Sequence, residues 1–381
     1  MTNQRAIRWG MVGGGTGAMI GNIHRIAARL DNQFELCAGA LSSTPEKAQQ
    51  SAQEIGLDAD RSYADFTEMA KSEAARPDGI RAVSICTPNH MHLPVARAFL
   101  EHGIHVICDK PMTATLPQAQ ELAAVAGRSD ALFILTHNYS AYPQIRQARE
   151  LVREGALGAI RLVQVEYAQD WLATDSDTKQ AAWRTDPARA GAGGAIGDIG
   201  THAFQLASFV SGLRPTKLAA DLSSFVPGRA LDDNAHIMMR YASGARGTLW
   251  CSQVAPGTEN GLRLRIYGEK AGLEWHHEAP ETLWFTPLGA PAQKLRRNAA
   301  GTSQAGMALS RTPAGHPEGY LEGFANLYAE AACAIRAREQ GAPIPDHVLT
   351  PGIETGLDGL RFVDACVRSS AGDACWVDMD G

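Results

Sequence analysis

Residues 7–21, IRWGMVGGGTGAMIG, constrain the fold of this chain more than any other stretch. Ile7 to Val12 read as a short buried strand, the glycines as a tight turn, and Ile23, Ile26, Ala27 and Leu30 as the buried stripe of a helix. A strand entering a helix through glycines aims backbone N–H groups and the positive end of the helix dipole at one point, an anion site suited to a pyrophosphate. Gly13 and Gly15 fit the first two positions of a GxGxxG-type turn. Either Ala18 or Gly21 serves as the third, as if the loop carried about three extra residues. Gly13, Gly15, Thr16, Gly17, Ala18 and Ile20 are therefore candidate cofactor contacts.

Strands and helices then alternate as in a doubly wound, Rossmann-type domain. Phe34 to Leu41 is a strand, Pro45 to Ile55 a helix, Arg81 to Cys86 a strand, Leu93 to Leu100 a helix, and Ile104 to Cys108 and Leu132 to Thr136 are strands. The second strand ends where an acidic residue binds the adenosine ribose of NAD in such folds. Here it ends in Ser42 and Ser43, whose hydroxyls suit NAD or NADP; nothing basic follows Leu41, which favours NAD. Ligands of open α/β sheets sit beyond the carboxyl ends of the strands. Thr87, Pro88, Asn89 and His92 fall in one such loop, and Asp109, Lys110 and Pro111 in another. Lys110 is placed either to reach a reacting centre or to lie solvated at the surface. His24, His90, His276 and His277 are read as non-ligands.

At 381 residues the chain has room for two domains. The expected division is a dinucleotide-binding domain over 1–138 and an α+β domain over 139–381 for substrate binding and oligomerisation. A net charge of −6 spread along the chain does not favour nucleic acid, and no apolar run reaches the length of a membrane span. The first residues, MTNQRAIRWG, pass at once into a strand, so no export segment and a cytoplasmic location are expected. Seven scattered cysteines without metal spacing read as buried thiols, and no metal is expected.

Trp183 to Gly212, WRTDPARAGAGGAIGDIGTHAFQLASFVSG, begins as a glycine-rich loop and becomes a helix with Ile199, Ala203, Leu206 and Val210 as its buried stripe. Asp198 and His202, four residues apart, stack on one face of it. A capping Asp and a buried His would give the same pattern. The nearby Gly191, Gly193, Gly194 and Gly197 allow a close backbone approach that a plain helix start does not need.

In order along the chain, the glycine loop, CTPNHMH, CDKP and WR…GAGGAIGDIGTH resemble the Gfo/Idh/MocA family of NAD(P)-dependent sugar and polyol dehydrogenases. RYASGARGTL and IYGEKAGLEW resemble that family's C-terminal sheet, so the likeness covers nearly the whole chain. It implies catalytic roles for Lys110, Asp198 and His202, with Asp109 standing where the family more often has Glu. It also implies that the open face of the C-terminal sheet forms a subunit interface, giving a homodimer or homotetramer.

That second domain is expected to be a mostly antiparallel sheet with helices on one face. Ile160 to Tyr167, Asp232 to Tyr241, Arg246 to Gln253, Leu262 to Tyr267 and Leu273 to His276 read as its strands, and Thr286 to His316 as a long loop. Asn138 and Tyr139 at the domain crossing, Asp170 and Trp171 at a strand end, and Trp183 and Arg184 before the glycine loop join Asp198 and His202 as candidate substrate contacts. Aromatic faces against C–H surfaces, with charged or amide groups on hydroxyls, suit a sugar or cyclitol. The expected reaction is oxidation of a secondary alcohol or its reverse. His202 is read as base, Asp198 as its orienting partner and Lys110 as support for alkoxide, although Lys110 and His202 could exchange roles. An NAD-dependent glycosidase that oxidises transiently and eliminates its aglycone would use the same residues. A non-catalytic cofactor-binding regulator would need none of the three.

Overall fold

The computed structural model describes residues 5–175 and 178–380. From the N-terminus, β1 (Ile7–Gly13), α1 (Met19–Leu30), β2 (Phe34–Ala40), α2 (Pro45–Glu54), α3 (Phe66–Ala75), β3 (Ala82–Cys86), α4 (His92–Leu100), β4 (His105–Cys108), α5 (Leu116–Ala126) and β5 (Phe133–Leu135) alternate. They are followed by α6 (Pro143–Arg153), β6 (Ile160–Ala168), α7 (Lys179–Arg184), α8 (Pro187–Ala190), a π-helical turn at Ile196–Gly200 and α9 (Thr201–Ser211). Then come β7 (Pro215–Ser223), β8 (Asn234–Tyr241), β9 (Arg246–Ser252), β10 (Gly261–Gly268), β11 (Ala271–His276), β12 (Thr282–Pro287) and β13 (Gln293–Arg296). The chain closes with α10 (Gln304–Ala308), α11 (Tyr320–Glu339), α12 (Ile353–Ala371) and β14 (Val377–Asp378).

Two compact units result: Met1–Asn138 with Tyr320–Leu357, and Tyr139–Gly319 with Asp358–Gly381. The first holds a parallel sheet in the order β2-β1-β3-β4-β5. Its central strands are apolar on both faces, as helices on both sides require. The chain reverses direction across the sheet between β1 and β3, so the crevice beyond their carboxyl ends is the place for a ligand. A division of the sequence at residue 138 assigns α11 to the second domain, but α11 packs on α1 in the first. The reason is a buried polar chain between them. Trp9 Nε1 donates to Ser84 Oγ at 2.9 Å, Ser84 meets the Tyr328 hydroxyl at 2.6 Å, and that hydroxyl meets His24 Nδ1 at 2.6 Å. Trp9, His24 and Tyr328 are all buried, so none of these groups has water as an alternative partner.

The second unit carries a nine-stranded sheet, β13-β12-β11-β10-β6-β9-β8-β7-β14. Neighbours are antiparallel except β6 and β9. In β8 the buried Ala235, Ile237, Met239 and Tyr241 alternate with exposed His236, Met238 and Arg240, and α6 and α9 pack on the sheet at β6 and at β9 to β12. Register places Met238, Thr248, Gln164 and Arg265 side by side on the other face. Residues 286–316 are not the long loop that their Gly, Ala, Pro and Ser content suggests. β12 and β13 form an edge hairpin there, α10 follows, and buried Arg297 binds the segment together. Its guanidinium donates to Glu281 at 2.6 Å, to Glu318 at 3.1 Å and to the Thr312 carbonyl at 2.8 Å.

Candidate functional site

The glycine loop assigns each glycine a separate task. Gly13, Gly14 and Gly17 have φ near +73°, +69° and +79°, a conformation that side chains disfavour. A Cβ on Gly21 would lie 2.2 Å from the Gly14 carbonyl oxygen, so Gly21, rather than Ala18, is the glycine that lets α1 close on the loop. A Cβ on Gly15 would meet the Leu41 carbonyl oxygen and Ser51 Oγ, both at 2.7 Å; Gly15 is needed for packing whatever binds outside. Thr16 turns toward α2, its amide donating to Ser51 Oγ at 3.0 Å. The side of the loop at Gly17 is open, and α1 follows Ala18 with no side-chain cap and no acidic residue in its first turn. Its first amides, including that of Ile20, therefore suit a diphosphate. Ser42 and Ser43 lie at the end of β2, half-buried and exposed respectively.

Two buried polar atoms at the carboxyl edge of the same sheet, Thr87 Oγ1 and Asn138 Nδ2, have no hydrogen-bond partner among the described residues. Orphans of this kind fit a polar ligand. Pro88 is half-buried beside buried Asn89. His92 plays a different part from the cofactor contact expected of it. Its side chain is fully buried, with Nδ1 2.7 Å from the Pro111 carbonyl and Nε2 2.9 Å from the Thr87 carbonyl, so it ties the Thr87 loop to the Lys110 loop. Asp109 accepts from the Thr136 hydroxyl at 2.8 Å and from the Lys110 amide at 3.0 Å, which fixes the backbone of half-buried Lys110. Burial, with the charge of Lys110 second, lowers the neighbouring His137 to about 3.

In the second unit, Asp198 lies inside the π-helical turn, not at an ordinary helix start. A π turn closes i→i+5 bonds, so one widened turn carries Asp198 into α9, which bears His202. The Asp198 carboxylate is not a cap. Its Oδ2 accepts from Gln253 Nε2 at 2.9 Å and from Arg184 Nε at 3.3 Å. Buried His202 packs against the Tyr139 ring, centroids 4.9 Å apart. The Tyr139 hydroxyl bonds to Tyr167 at 2.7 Å, and Tyr167 donates to Asn260 Oδ1 at 2.7 Å. Tyr139 thus backs His202, with its hydroxyl turned into this network. His277 is part of the same cluster, 3.2 Å from Asn260, and burial lowers its pKa. The Arg184 guanidinium stacks on Trp183 at 4.3 Å and Trp171 at 5.8 Å. Trp171 donates to Gln169, and Asp170 accepts from the Gly257 amide.

The glycines ahead of this turn serve the chain itself. A Cβ on Gly194 would lie 2.0 Å from the Asp232 carbonyl oxygen, whereas Gly197 faces open space. Asp232, Gln253, Tyr167 and Asn260 escaped the sequence reading. The one signal for the first was a pair of adjacent acids, Asp232–Asp233, placed at the start of a strand that buries alternate residues. Of the cysteines, Cys86, Cys108, Cys251 and Cys366 are buried, with thiol pKa values pushed up by desolvation, but Cys375 is exposed. Among the described residues no cluster of His, Cys, Asp and Glu could hold a metal, and no helix is long and apolar enough to cross a membrane.

A parallel sheet with an open glycine loop at its switch point, joined in one chain to a large antiparallel sheet, defines a class: the NAD-binding oxidoreductases with a separate second domain. Residues 7–137 match the oxidoreductase family with an NAD-binding Rossmann fold, and residues 145–274 match the GFO/IDH/MocA C-terminal domain. The uncharacterized oxidoreductase YfiI of Bacillus subtilis is 38% identical, over 98% of this chain and 97% of its own. An oxidoreductase structure from Sinorhizobium meliloti is 56% identical, with a TM-score of 0.91, covering 98% of this chain and 100% of that one. An inositol dehydrogenase homolog from Azotobacter vinelandii, complexed with NADH and myo-inositol, is 37% identical, with a TM-score of 0.93 and 98% of both chains covered. The chain belongs to the Gfo/Idh/MocA family of NAD-dependent oxidoreductases.

Proposed function

We propose that this oxidoreductase converts a secondary hydroxyl of a sugar or cyclitol to the ketone, or catalyses the reverse. The observation that carries the reading is the Asp198 carboxylate, held by Gln253 and Arg184 in the helical segment that also bears His202. Next to it stands the Trp183–Arg184–Trp171 stack, of a kind that receives the C–H face and hydroxyls of a polyol. The myo-inositol in the Azotobacter vinelandii structure supports the same substrate class.

NAD supplies the hydride acceptor. The Gly13–Gly17 loop and the uncapped start of α1 would hold its diphosphate, Ser42 and Ser43 its ribose, and Thr87, Pro88 and Asn89 its far end. As hydride leaves carbon, the hydroxyl proton must leave too. His202 accepts that proton, Asp198 orients it and the substrate hydroxyl, and Lys110 stabilises negative charge on the oxygen. Asn138, Tyr139, Asp170, Trp171, Trp183 and Arg184 shape the substrate side, Tyr139 through its contact with His202.

The exposed face of the nine-stranded sheet, with Leu162, Met238, Tyr267 and Trp284 on it, is the proposed contact between subunits of a homodimer or homotetramer. Light scattering gives the mass that checks this. The substrate class is tested with cyclitols, free sugars and glycosides, following NADH or NADPH absorbance. Turnover of a polyol with NAD supports the reading, and inactivity across the panel with both cofactors contradicts it.

A further inference from the structure

We infer that Asp232 and Gln253 are positioning residues, fixing Asp198 from two directions: Asp232 holds the backbone that carries it, and Gln253 holds its carboxylate. This inference rests on the reading of Asp198 and His202 as reacting groups.

Asp232 and Asp233 are adjacent and both buried, where carboxylates need full hydrogen bonding. Asp233 closes its own turn, accepting from the amides of Phe225 and Val226 and pairing with Arg229 at 3.1 Å. Asp232 is spent on the glycine loop. Its Oδ1 accepts from the Gly194 amide at 2.6 Å and its Oδ2 from the Ile196 amide at 2.8 Å. Its carbonyl accepts from the Ala195 amide at 2.8 Å. Three consecutive amides thus end on one residue, and the absence of a side chain at Gly194 is what admits it. Those amides lead directly into the π turn, where the Asp198 amide donates back to the Gly194 carbonyl at 2.9 Å.

Gln253 is anchored by the other half of the same dipeptide. Its amide donates to the Asp233 carbonyl at 2.8 Å, and its buried side chain reaches Asp198 Oδ2 at 2.9 Å. One pair of residues ahead of β8 therefore sets both where the turn lies and where its carboxylate points. An amide at position 253 supplies a donor without a charge. The charged or titratable groups around Asp198 in this unit include Arg184 from α7 and Tyr139 ahead of α6, and His202 lies further along its own helical segment. A second carboxylate among them would compete with Asp198 for ionisation.

The experiment compares Gln253→Glu, Gln253→Met and Asp232→Asn with the parent protein, using NAD and myo-inositol, or the polyol of the panel turned over fastest. Measured are kcat and kcat/KM against pH, NAD affinity and melting temperature. Gln253→Glu should move the acid limb of kcat/KM upward by about one pH unit or more, with activity recovering at alkaline pH. Gln253→Met should lower kcat about tenfold or more and leave NAD affinity unchanged, because a bond to a charged group is lost. Asp232→Asn, which cannot accept both amides, should lower kcat by about the same factor. An unmoved acid limb in Gln253→Glu, together with kcat within about twofold of the parent in Gln253→Met, overturns the inference. Loss of the native melting transition in all three variants also overturns it, since the residues would then serve the fold alone. Full turnover in Asp198→Asn and His202→Ala would instead sink the functional reading itself.

Discussion

His202 is 8% exposed, and its ring meets the edge of Tyr139. As the proposed base, it should be irreplaceable in rate but indifferent to cofactor binding. His202→Ala is expected to lower kcat by about 10²- to 10⁴-fold with little change in NAD affinity, the usual scale for a positioned acid/base. Lys110→Met should be comparably damaging and Asp198→Asn damaging as well, read by steady-state kinetics beside cofactor titration. Near-normal turnover in His202→Ala with none in Lys110→Met would make the lysine the base. At Gly15 the structure alters a simple expectation, namely that Gly15→Val weakens NAD binding and leaves the fold intact. A Cβ there strikes the Leu41 carbonyl and Ser51 inside the domain, so melting temperature should fall together with NAD affinity. Weakened binding at an unchanged melting temperature would contradict that packing role.

Among the elements, buried histidines of the first unit favour the folded chain at neutral over acidic pH. Burial lowers the pKa values of His24 and His92, His105 to about 4 and His137 to about 3. Each contributes stability that is present above the ordinary imidazole value and lost as pH falls through the folded one. Asp232, in the second unit, has the opposite sign. Burial raises it to about 6, so its contribution is present below the ordinary carboxylate value and lost as pH rises through about 6. The four histidines outweigh it, and melting temperature should drop on acidification from about pH 6.5 to 4; a flat or rising profile would refute this. Arg297→Met should destabilise the chain by about 3–5 kcal/mol in denaturant titration, because it strands buried Glu318 without its charge partner. A loss below about 1 kcal/mol would mean that the ion pair does not organise the segment.

Those elements also show what a sequence can disclose. β1, α1, β3 and β4 were legible because strand, turn and helix signals lie within a few residues of one another. The β12–β13 hairpin and α10 were not, because a buried arginine joining Glu281, Thr312 and Glu318 orders a stretch whose composition reads as loop. β7 was missed for a related reason: Thr216, Lys217 and Asp221 make it polar, and pairing with β8 sets its course.

For the whole molecule, the candidate site was half legible. Lys110, Asp198 and His202 stood in recognisable strings, but Asp232 and Gln253 act across separations of 36 and 55 residues that no local pattern records. The return of α11 to the first unit was hidden likewise, since the partners of Tyr328, His24 and Ser84, lie about three hundred residues earlier in one case and far off in both. The proposed reaction moves hydride from a polyol carbon to NAD. It is tested most directly with a polyol of the panel, myo-inositol first, carrying deuterium on its ring carbons and followed by mass spectrometry of cofactor and product. One deuterium is expected on the reduced nicotinamide for each ketone formed, with the rate of its appearance lowered by about 10²- to 10⁴-fold in His202→Ala. Glycoside cleavage without net NADH, or NADH carrying no deuterium, would contradict it.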